Sequence, residues 1–165
     1  MEAAIWGFIG TLVGAGVSIG TTFISAWKDK TLQEQRHTFD REEKARAFQR
    51  DNLLKLQDLL QKEIRFMGKV HFSDLKASKE TSEWRRSLLS DDLDNEISIN
   101  NRNLVITIER ISNDELRNEI KDFRNQVSIG MFSKTMEESE NRLHDASNTF
   151  IDLMEKVGIE LRNNY

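Results

Sequence analysis

Hydrophobic positions fall into two regimes along this chain. Residues 3–27 run for 25 positions without a charge. A helix rising ~1.5 Å per residue crosses a hydrocarbon core of ~30 Å in about 20 residues. Trp6 and Trp27 bracket the run, 21 residues apart, and Trp favours the headgroup level, where its ring is buried and its N–H stays wet. Lys28 and Lys30 follow at once. The pattern predicts one transmembrane helix over residues 1–27, with Trp6, Trp27, Lys28 and Lys30 as interfacial anchors and lipid as its surroundings. A cleaved signal peptide fits less well, because Glu2 stands where a basic flank belongs and the apolar run is too long. The alternative of a core helix in a water-borne oligomer rests on the many Gly and Thr residues. Lys28, Lys30, Arg36 and Arg41 crowd one flank, so the N-terminus is expected outside and the remainder in the cytoplasm.

Beyond Lys28 the pattern changes twice. Residues 28–44 carry charges of both signs and few apolar positions beyond Leu32 and Phe39, which predicts a solvated helical stalk. From Ala45, apolar residues recur every three to five positions: Phe48, Leu53, Leu56, Leu60, Ile64 and Met67, an amphipathic helix. This helix either runs on toward Trp84 or breaks near Gly68. The polar stretch 73–90 is the expected loop. Leu93, Ile97, Asn100, Leu104, Ile108 and Ile111 continue at helical spacing. The β-branched run 104–108 lacks Gly or Pro punctuation and a partner strand, so helix is preferred there. Ser112 or Asn113 is the expected cap of a third helix burying Leu116, Ile120, Phe123 and Val127, with Gly130 at its end. A fourth begins near Ser133 and is interrupted at Gly158. The expected fold is all-α: a transmembrane helix (1–27), a charged helical stalk (28–44) and a small antiparallel helical bundle (45–165).

Small residues in the first segment are ordered. Gly7, Gly10, Gly14, Gly16 and Gly20 include two Gly-x-x-x-Gly pairs, which let helix backbones approach closely in lipid and predict self-association. Thr11, Ser18 and Ser25 repeat every seven residues, and Leu32 and Phe39 continue that register. Facing an axis, the three hydroxyls would line a narrow polar pathway. The competing expectation is that they bond back to their own helix.

Composition sharpens this picture in few places. The chain has no Pro and no Cys, which favours long helices and excludes disulfides and thiolate metal sites. The net charge of −4 argues against a nucleic-acid partner, which demands a concentrated positive face. Glu34-x-x-His37 has the spacing of a di-iron ligand pair, but no second copy exists. Asp91, Asp92, Asp94 and Glu96 read as a helix N-terminus rather than a calcium loop. Trp84-Arg85-Arg86 forms a small aromatic and basic spot. No phosphate-binding Gly loop, nucleophile elbow or zinc-protease motif is present. The sequence therefore predicts no enzyme, no cofactor and no metal.

Residues 6–14, Trp-Gly-Phe-Ile-Gly-Thr-Leu-Val-Gly, together with the charged stalk, resemble a loose group of small bacterial and phage single-pass membrane proteins. The resemblance implies the bacterial inner membrane and a cytoplasmic helical domain, and it carries over no functional residue. The expected role is a membrane-anchored, self-associating adaptor whose bundle recognises another protein. The alternative is an oligomeric membrane-disrupting or pore-forming effector of the phage-defence or toxin type.

Overall fold

The computed structural model describes the backbone of residues 2–81, 84 and 89–165, and their side chains except at 2–6, 8–13, 15–17, 19 and 81. Among the described residues four helices follow one another: α1 (Glu2–Thr81), α2 (Asp91–Ile108), α3 (Asp114–Met131) and α4 (Met136–Asn163). Among the described residues there is no strand, so the expected all-α class holds. The chain divides into two compact units, Met1–Ala45 and Arg46–Tyr165.

The first unit lies wholly on α1. Among the described residues, no helix is long and apolar enough to cross a membrane. This corrects the expected transmembrane anchor, and with it the single-pass topology and the inner-membrane placement. From Gly20 onward α1 mixes Thr21, Thr22 and Ser25 with Lys28, Asp29 and Lys30, too polar for a span, and most side chains of residues 2–19 lie outside the described residues. Thr21 and Thr22 both donate to the Ser18 carbonyl, at 2.9 and 2.8 Å. Thr31 and Thr38 bond back four residues in the same way, to Trp27 and Glu34.

The second unit holds the core, and helical spacing explains its membership. Leu53, Leu56, Leu60 and Met67 come from α1, Leu104 and Ile108 from α2, and Leu116, Ile120, Phe123 and Val127 from α3. Ala146, Leu153 and Val157 close it from α4. Helix α1 passes through Gly68 and ends at Thr81, so the non-helical stretch is shorter than the polarity of 73–90 suggests. Val70, His71 and Asp74 are buried, and this tertiary burial extends the helix past its last apolar repeat. Likewise α4 runs through Gly158. Phe48, expected inside, is exposed.

Each of the three later helices opens on a side-chain cap. Ser90 accepts from the Leu93 N–H, Asn113 from Leu116 and Thr135 from Glu138. Asp91, Asp92 and Asp94 fill the first turn of α2, where the helix dipole favours them. Gln49 ties the α2–α3 connection to α1. Its Nε2 donates to the Arg110 carbonyl at 2.9 Å, and its Oε1 accepts from the Ser112 N–H at 3.1 Å.

Candidate functional site

A buried polar contact joins α1 to α2 in the second unit. Asn100 lies on the apolar stripe of α2 and is 3% exposed. Its Nδ2 donates to Glu63 Oε2 at 2.8 Å and to the Leu59 carbonyl at 3.3 Å. Its Oδ1 is buried without a hydrogen-bond partner. Burial pushes the Glu63 carboxyl above its ordinary value of 4.5, while the Asn100 hydrogen bond and the Arg124 charge pull the other way. Two cavities of opposite character flank this contact.

The first is a groove of about 360 Å³ with Asn100 in its lining. Lys62, Arg65 and Lys69 also line it, and a spacing of three and then four residues puts all three cations on one face of α1. Leu59, Phe66 and Ile99 supply apolar surface, and Glu96 stands on the α2 wall. Lys62 pairs with Asp58 at 2.7 Å and Lys69 with Glu96 at 3.4 Å, all four side chains about half exposed. Exposed pairs of this kind hold their partners weakly, so the ammonium groups are available to another anion. The Lys69 Nζ also sits 5.5 Å from the Phe66 ring centroid.

The second cavity, of about 350 Å³, is lined by Glu63, Asp74, Asp94, Asn101 and Arg124, with Val70, Ile97 and Met131 among its apolar walls. Arg124 Nη2 donates to Asn101 Oδ1 at 3.4 Å. Its Nε is buried with no hydrogen-bond partner.

Other polar pairs hold helices together. His71 Nδ1 and Ser139 Oγ lie 2.8 Å apart, both buried, linking α1 to α4. The His71 ring lies 6.1 Å from that of Trp84, whose Nε1 donates to the Ser133 carbonyl at 3.2 Å. Lys156 pairs with Glu119 between α4 and α3, which raises the lysine above its ordinary value. Among the described residues, no group of three or more His, Asp or Glu is placed to hold a metal ion.

The helix-association, anchor and axis-facing positions expected from sequence all lie in the first unit. Gly7, Gly14 and Gly20 are on α1, and a Cβ at any of them would meet nothing within 4 Å. No close approach within this chain requires them to be glycine. Ser18, Ser25, Trp27, Lys28 and Lys30 are exposed. The side chains of Trp6 and Thr11, and the surroundings of Gly10 and Gly16, lie outside the described residues, as do Arg85 and Arg86. Lys62, Arg65, Lys69 and Arg124 did not stand out from sequence. Their signal was present: a basic face on an amphipathic helix, opposite an asparagine interrupting an apolar stripe.

The fold and the site define a small all-helical protein with a basic groove suited to an oxyanion. The model of the 5′ nucleotidase family matches residues 18–165, nearly the whole chain, and the chain belongs to that family. No curated protein and no solved structure matches it. This membership overturns the expectation that the chain is not an enzyme. The lack of loop-borne phosphate and nucleophile motifs does not exclude membership of an enzyme family. Membership also removes the footing for describing the chain as a single-pass membrane protein.

Proposed function

We propose that this chain hydrolyses nucleoside 5′-monophosphates and that the basic groove between α1 and α2 holds the 5′-phosphate. The observation that carries this reading is the triad Lys62, Arg65 and Lys69 on one helical face. A phosphate monoester carries close to two negative charges near neutral pH, and charge-assisted hydrogen bonds to guanidinium and ammonium groups are the strong ones. The apolar surface of Leu59 and Ile99 suits the face of a nucleobase. The partnerless Oδ1 of Asn100 accepts from a base amino group or a ribose hydroxyl.

The chemistry follows from these roles. Water attacks phosphorus, the bond from phosphorus to O5′ breaks, and nucleoside and inorganic phosphate leave. Glu96 takes the proton released by the attacking water, and O5′ takes one from solvent. The three cations stabilise the charge that spreads over the phosphoryl oxygens in the transition state.

Release of inorganic phosphate from AMP, GMP, CMP and UMP by the purified chain, with and without added Mg²⁺, tests the proposal. Replacing Lys62, Arg65 and Lys69 together by Ala is expected to reduce kcat/KM by about 100-fold or more. The helical circular dichroism should be unchanged, since all three side chains are exposed. Phosphate release from none of the four nucleotides, or undiminished release by the triple variant, rejects the groove as the site.

A further inference from the structure

The cations of the basic groove form a row, not a ring. Lys62, Arg65 and Lys69 follow one face of α1, and the seven steps from first to last span ~10 Å at helical rise. A single phosphate group is far shorter than this. Side-chain partners keep the two ends of the row apart. Lys62 Nζ is drawn to Asp58, one turn earlier on α1, at 2.7 Å. Lys69 Nζ pairs with Glu96 on α2 at 3.4 Å and lies 5.5 Å from the centroid of the Phe66 ring. Helix α2 runs antiparallel to α1 here: Asn100 meets Leu59 and Glu63, and Glu96, one turn earlier, meets Lys69 farther along α1. The two ammonium groups therefore stand at opposite ends of the groove. Each has three N–H donors and spends one on its carboxylate, and ion pairs this exposed are weak enough to be exchanged. A 5′-monophosphate draws the ends inward; a chain of phosphoryl groups meets them where they stand.

We propose that the groove is a site for a linear polyphosphate whose successive phosphoryl groups face Lys62, Arg65 and Lys69 in turn. A nucleoside triphosphate and a free inorganic chain both present this chemistry. Each added phosphoryl group brings a further charge-assisted contact, so the chain binds more tightly than a single phosphate. The inference rests on the groove being the phosphate site, as in the nucleotidase reading, but not on hydrolysis there. Where nucleoside monophosphates are hydrolysed, a polyphosphate occupies the substrate's place and inhibits.

Isothermal titration calorimetry of the full chain with orthophosphate, pyrophosphate, tripolyphosphate and ATP, at one salt concentration and without Mg²⁺, tests the proposal. Tripolyphosphate is expected to bind about tenfold or more tighter than orthophosphate. Lys62→Gln and Lys69→Gln should each weaken tripolyphosphate by about tenfold and orthophosphate by much less. Both side chains are about half exposed, so the variants keep the fold. Lys121→Gln removes a similarly exposed cation outside the groove and should leave both affinities unchanged. ATP binding more tightly than tripolyphosphate assigns the nucleotide as the occupant, and equal or weaker binding assigns the inorganic chain. No heat from tripolyphosphate, equal affinity for orthophosphate and tripolyphosphate, end variants that weaken both anions alike, or a Lys121→Gln effect as large as theirs would overturn the proposal. Absence of nucleotide hydrolysis would sink the nucleotidase reading alone, since the calorimetry needs no turnover.

Discussion

Gly130 shows how a single residue can be placed correctly in an element and for the wrong reason. From sequence it reads as a helix terminator. In the structure it is buried one residue before the end of α3, and a Cβ there would lie 2.1 Å from Met67 Cε and 3.3 Å from its Sδ. The glycine makes room for a methionine 63 positions earlier in the chain, a relation no local pattern encodes. Gly130→Ala gains up to about 1 kcal/mol of helix propensity but must push aside a buried side chain, an overpacking cost of roughly 1–3 kcal/mol. Met67 is flexible and can yield in part. The variant is expected to be destabilised by about 1 kcal/mol in urea unfolding, and a shorter residue in Met67→Val should reverse the sign of the change. Glu63 makes a second residue-scale prediction. Its carboxyl is raised above 4.5 in the folded chain, so between that value and the folded one the unfolded chain holds fewer protons. Folding stability therefore falls as pH rises through this window. Glu63→Gln keeps an acceptor for Asn100 and removes the titration. The variant should gain stability relative to the parent at pH 7 compared with pH 4, measured by denaturant midpoints at both; an equal difference at both would show that the carboxyl is not perturbed.

Helix starts were more legible in the sequence than helix ends. Ser112 or Asn113 was the expected cap of α3, and Asn113 is the residue that makes it, its Oδ1 accepting from the Leu116 N–H at 3.0 Å. Caps are local chemistry, read from a polar residue and the turn that follows it. Ends depend on what the helix packs against. Stretch 73–90 looks like loop from its polarity, yet α1 holds to Thr81 because His71 and Asp74 are buried and His71 meets Ser139 on α4. The same limit applies to Gly158, which sits within a helix that continues to Asn163. Asn113 contributes twice, since its Nδ2 also donates to Glu160 Oε2 on α4 at 2.9 Å. Asn113→Ala is expected to lower stability by about 1–2 kcal/mol. Asn113→Asp, which keeps the cap but faces Glu160 with a like charge, should recover only part of that loss. Equal stability of all three chains would mean that α3 gains nothing measurable from its cap.

At the scale of the whole molecule, averages hid the features that matter. A net charge of −4 conceals a groove with three cations and one carboxylate, because the sum counts residues without regard to which helical face they share. The core is equally localised. Every residue of the buried cluster, from Leu53 to Val157, falls within Arg46–Tyr165, and both cavities are lined from that unit alone. Burial of apolar surface is the dominant stabilising term in folding, whereas an exposed helix adds only its weak intrinsic propensity. A chain comprising residues 46–165 is therefore expected to unfold in one cooperative transition, with a denaturant midpoint close to that of the full chain, and to release phosphate from nucleotides at an undiminished rate. Its denaturant dependence should stay nearly constant, because the surface exposed on unfolding sets that slope and no described residue among the first 45 is a member of the core. A large drop in midpoint would place part of the stabilising burial outside this unit. Loss of hydrolysis with the midpoint intact would instead assign the first unit a part in the chemistry.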